Sequence, residues 1–111
     1  MQKLSLVAAA RQQLEAAARE PHGRSAHTVY GGHEHVLRQT VIALRAGESL
    51  SEHENPGEAT VHVLHGRVRL VAGDDSWDGS TGDLLIVPPT RHALHAVEDA
   101  AVLLTVAKIP G

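Results

Sequence analysis

A chain of 111 residues without cysteine is long enough for one compact core and too short for two, and it has no disulfide framework, thiolate metal site or cysteine nucleophile. A net charge of -3, no basic block and an aromatic content of 2% leave little to attract phosphates or stack bases, so a nucleic-acid partner is not expected. The hydrophobic 42% is mainly Val, Leu and Ala, which predicts an aliphatic core, and nine histidines make imidazole the prominent reactive group.

The first segment, "MQKLSLVAAARQQ", sets a lysine before an apolar run, as a secretory signal does. The run from Leu4 to Ala10 is broken by Ser5 and stopped by Arg11, at the short limit for such a signal, and is read as mature sequence. No other stretch nears the roughly eighteen apolar residues of a membrane span. A soluble, cytoplasmic protein without membrane partners is therefore expected. From Ser5 to about Glu20 the residues favour a helix, with Leu6, Ala10, Leu14 and Ala17 on one face, Ser5 as cap and Pro21-His22-Gly23 as terminator. Its alanine stripe is narrow, so it is expected to lie across a preformed surface, either its own barrel or a partner subunit.

Beyond Gly23 the pattern changes to short β-branched runs closed by Gly, Pro, Asn or Asp. "AHTVY", "HVLRQTVIAL", "ATVHVLH", "RVRLVA", "DLLIVP" and "AVLLTVA" read as strands, with weaker ones near "SWDG" and "ALHAV". Eight or nine strands without an intervening helix predict an all-β antiparallel sandwich or barrel. Residues 1–22 are read as a helical extension and 23–111 as the β domain. Tyr30 and Trp77, the only large rings, are read as packing residues.

The turns carry a spacing of their own. "GESLSEHENPGEATVHVLHG", Gly47 to Gly66, is followed by "GDLLIVPPTRH", Gly82 to His92. The pair resembles the two-motif signature of the cupin superfamily, with Gly47, His53 and Gly66 in register in the first motif and Gly82 and Pro88 in the second. The resemblance covers roughly residues 36 to 107. It implies a single RmlC-like cupin jelly-roll β-barrel, commonly a homodimer, with a metal held inside on three histidines and a glutamate, and the N-terminal α-helix lies outside it.

The ligand positions depart from that pattern. The second histidine of the first motif is Asn55 and the glutamate position is Ala59. His92 arrives one residue early, and the closing asparagine is Ala96. His53 and His92 are the retained histidines, either metal ligands or buried imidazoles satisfied by neighbours. Glu58 lies one step from the vacant carboxylate position. Strand alternation turns it outward unless Pro56-Gly57 makes a bulge, so it is a third ligand or a solvent-facing residue. Asn55 offers a carbonyl oxygen, a weak metal donor better suited to substrate or water, or it is a turn residue. Arg38 and Gln39 alternate, and the neutral amide of Gln39 is the cheaper one to enclose, which makes it a candidate ligand-orienting group.

Among the other histidines, His33 and His35 share a face and form a candidate surface site, whereas His62 and His95 are expected to face away from the interior. Two functions follow. One is a small-molecule-binding barrel with a degenerate site on His53 and His92, and the other is a metal-dependent enzyme of dioxygenase or isomerase type using iron, manganese, zinc or nickel. The missing ligands favour the first and the retained histidines the second, and a fold that hosts many activities does not choose between them.

Overall fold

The computed structural model describes residues 2–53 and 57–108, with residues 52 and 53 described by backbone alone. Helix α1 (Leu6–Arg19) begins where the Ser5 hydroxyl accepts the Ala8 N–H at 3.1 Å, satisfying one of the amides that a helix start leaves over. Nine strands follow: β1 (Arg24–Gly31), β2 (Leu37–Leu44), β3 (Ser49–His53), β4 (Gly57–His65), β5 (Arg67–Ala72), β6 (Asp75–Ser80), β7 (Leu84–Ile86), β8 (His92–Ala96) and β9 (Ala100–Lys108). They pair antiparallel into a five-stranded sheet, β1-β2-β9-β4-β7, and a four-stranded sheet, β3-β8-β5-β6. This is a jelly-roll sandwich. The expected barrel stays open, because the hydrogen-bond ladders of the two sheets do not join.

Alternation along the strands builds the interior. Ala59, Val61 and Val63 of β4, Val68 and Leu70 of β5, and Val102 and Val106 of β9 are buried in one cluster, each fully buried Val or Leu worth about 1.5–3 kcal/mol relative to exposure. A second cluster lies on the other face of the larger sheet, where Ala10 and Ala17 of α1 meet Ala43 and Ala101, with Leu14 and Leu64 packed alongside. The helix therefore packs on its own sheet, and its small side chains let the two backbones approach closely. No described helix is long and apolar enough to cross a membrane.

The two rings differ from expectation. Tyr30 is 43% and Trp77 47% exposed, because they sit on β1 and β6, edge strands with a neighbour on one side only. Tyr30 packs instead against the His35 ring at 5.4 Å.

On the outer face of the smaller sheet Arg69 meets Asp78 across β5 and β6, donating from Nε at 2.7 Å and from an Nη at 3.1 Å. The Arg69 hydrogen bonds hold the Asp78 carboxyl below its usual range, against a smaller opposing effect of desolvation. A lowered folded-state value means that the pair's contribution is present above the ordinary carboxylate range and is lost as pH falls through that lowered value. Wild type and Asp78→Asn should thus differ in urea midpoint near neutral pH and converge in acid. The gap is expected to be small, since the pair is exposed. A gap independent of pH would show that the carboxylate charge is not its source.

Candidate functional site

β8 presents the one buried polar side chain of the described interior. Alternation from His92 to Ala96 turns His92, Leu94 and Ala96 inward and leaves His95 exposed, where its Nδ1 lies 2.5 Å from the Ser49 hydroxyl. His92 is 6% exposed, and its Nδ1 lies 2.9 Å from the Thr90 carbonyl oxygen. A carbonyl only accepts, so Nδ1 carries the proton and, in the neutral ring, Nε2 carries the lone pair. That tautomer suits a metal ligand or a hydrogen-bond acceptor equally. Thr90 escaped the sequence reading because a backbone carbonyl leaves no signature in residue type.

β3 brings residue 53 to the same place. Leu50 pairs with Leu94, and His53 pairs with His92, with a register shift between Leu50 and His53. Unbroken pairing would set Glu52 opposite His92. The extra residue of the bulge moves the backbone of His53 there instead. The His53 side chain and all of Asn55 lie outside the described residues.

The other candidates do not converge on His92. Gly57 to Val63 pairs with β9 in unbroken register, so no bulge rotates Glu58. Ala59 is buried at 8% exposure while Glu58 is exposed on the outer face. The strand alternates normally at Glu58, which leaves it apart from His92 and in the solvent-facing position that was its alternative reading. Gln39 also stands apart from His92. Ile42 and Leu44 belong to the interior cluster and Ala43 to the helix-covered one, so alternation puts Gln39 outside, where its amide donates to Thr105 Oγ1 at 3.2 Å. Arg38 is the residue that shares the parity of Ile42.

Around His92 the interior is aliphatic. Ile42, Leu50, Leu70, Leu94, Val102 and Leu104 surround a cavity of ≈ 20 Å³, room for one water molecule. Among the described residues no three His, Asp or Glu side chains gather into a metal-binding cluster. Ala59, buried, stands at the carboxylate position, so that position offers no metal donor.

The cupin domain family model matches residues 40–107, and the chain belongs to that family. Its fold is similar to a conserved protein of unknown function from Streptococcus pyogenes, 28% identical over 83% of this chain and 80% of that one, with a TM-score of 0.73. An RmlC-like cupin protein from Desulfovibrio desulfuricans is also 28% identical, over 76% of this chain and 81% of that one, at TM-score 0.66. A salicylate 1,2-dioxygenase from Pseudaminobacter salicylatoxidans shares the fold at TM-score 0.74 and 17% identity, over 90% of this chain but 33% of its own. No curated protein matches the chain.

Proposed function

We propose that this cupin binds a small molecule in its interior and is not a metal-dependent catalyst of the dioxygenase kind. The observation that carries the reading is buried Ala59 at the carboxylate position, with Glu58 on the opposite face of the strand. Among the described residues what remains is an aliphatic chamber with one buried imidazole, which suits a small, mostly apolar ligand with a polar group. A ligand larger than water requires the partly buried Leu50 and Leu104 to swing aside. The edge strands β1, β3, β6 and β7 are surfaces for a second copy, and the same reading takes the assembly to be a homodimer.

A second reading is favoured by the pairing of His53 with His92. If both imidazoles turn to the interior they would hold a divalent ion, which when bound supplies Lewis acidity and open coordination positions. Elemental analysis of protein purified without a His tag or nickel column separates the two. The binding reading expects negligible metal in wild type. The metal reading expects roughly one equivalent per chain, abolished by either His53→Ala or His92→Ala, because each histidine supplies an indispensable donor. Metal that survives both changes belongs to a surface site such as His33 and His35 and would support neither catalysis nor an interior metal.

A further inference from the structure

The half of the five-stranded sheet that α1 leaves bare carries an open groove of ≈ 510 Å³, walled by Ile86, Val87, Pro89 and Ala107 and supplied with polar groups by Glu58, Thr60 and Thr105. That volume lies in the range of small-molecule sites, roughly 300–1,000 Å³, whereas the interior cavity is ≈ 20 Å³. The polar groups come from one strand pair, since Thr60 lies opposite Thr105 and Glu58 opposite Ala107 in the β4–β9 register. The Thr105 oxygen accepts the Gln39 amide at 3.2 Å, which leaves its own proton to be donated elsewhere.

Glu58 is exposed, and no described cation forms an ion pair with it. Lys108, across from Gly57 in the next register position, directs its ammonium to the Gly32 carbonyl at 2.6 Å. A carboxylate without a cation therefore stands at the rim of an apolar trough, and Ile86 in its wall is 69% exposed.

We infer that this groove binds small organic ammonium compounds, with the cationic nitrogen on Glu58, hydrocarbon along Ile86 and Pro89, and the Thr60 and Thr105 hydroxyls serving any further polar group. A charge-assisted hydrogen bond is about twice as strong as a neutral one, so an ammonium is preferred over an alcohol of the same length, and a carboxylate is repelled. The polar groups of the groove lie on the other face of the sheet from the interior cluster, and the proposal does not rest on the interior reading.

The test is a nitrogen-15 amide-shift titration of the full chain at about pH 7.5, where an alkylamine is protonated, with n-hexylamine, 1-hexanol and hexanoate. Hexylamine is expected to shift Glu58, Thr60, Ile86 and Thr105 and to bind about ten-fold more tightly than hexanol, with hexanoate leaving these amides in place. Glu58→Gln, at an exposed position, should keep a folded spectrum and lose about ten-fold in hexylamine affinity. Equal binding of amine and alcohol, unchanged affinity in Glu58→Gln, shifts gathered at His92 and Leu50, or no shifts at the four amides would each overturn the inference. An interior that binds nothing would leave it standing.

Discussion

Gly66→Ala is expected to destabilise the protein by about 3 kcal/mol or more, a large share of the roughly 5–15 kcal/mol that holds a domain together. Gly66 has φ +85°, and a Cβ there would lie 2.2 Å from the Asp99 carbonyl oxygen and 3.0 Å from the Ala100 Cα. Left-handed strain costs about 1–2 kcal/mol, and moving backbone out of contact adds about 1–3 kcal/mol. Gly47, the opening glycine of the same motif, has φ +89° but nothing within 4 Å of a Cβ, so Gly47→Ala should cost only the strain, about 1–2 kcal/mol. Urea denaturation of the two variants compares them directly. Equal losses would show that the contact with Asp99 relaxes without cost.

Leu70→Ala should be comparably severe. Leu70 is 1% exposed and lines the cavity beside His92, so truncation removes buried methyl groups and leaves a void, together costing about 2–5 kcal/mol. The melting temperature should fall by roughly 10–25 °C. The void has a use, because it joins the existing cavity in a dry, aliphatic setting. Benzene should then raise the melting temperature of the variant and leave wild type unchanged. A variant that melts low and ignores benzene has collapsed around the missing side chain.

Much of this architecture can be read in the chain because local signals agree. Ser5 followed by Ala10, Leu14 and Ala17 marks α1, and Ala59, Val61 and Val63 mark the inner face of β4. β3 escapes such reading. "SLSEH" has one apolar residue, Leu50, and its bulge breaks the alternation by which a strand is recognised. The choice between Arg38 and Gln39 fails for a different reason. Val41, Ile42, Ala43 and Leu44 are all buried, since the interior covers one face of β2 and α1 covers the other. The two-residue period that would have given the parity of position 39 is erased by the helix. At Glu58 the alternation is uninterrupted, since Gly57 to Val63 keeps its register with β9.

The bulge in β3 also bears on how relatives of this chain are found. Two residues, Ser51 and Glu52, stand where a regular ladder would need one between the Leu50–Leu94 and His53–His92 pairs. A homologue lacking either residue would have a straight strand, keep the two histidines opposite each other, and yet fall one position short of the glycine-to-histidine interval by which the first motif is recognised. Interval matching across this strand therefore undercounts relatives that have the same histidine pair, and alignment on Leu50, Leu94 and the paired histidines would recover them.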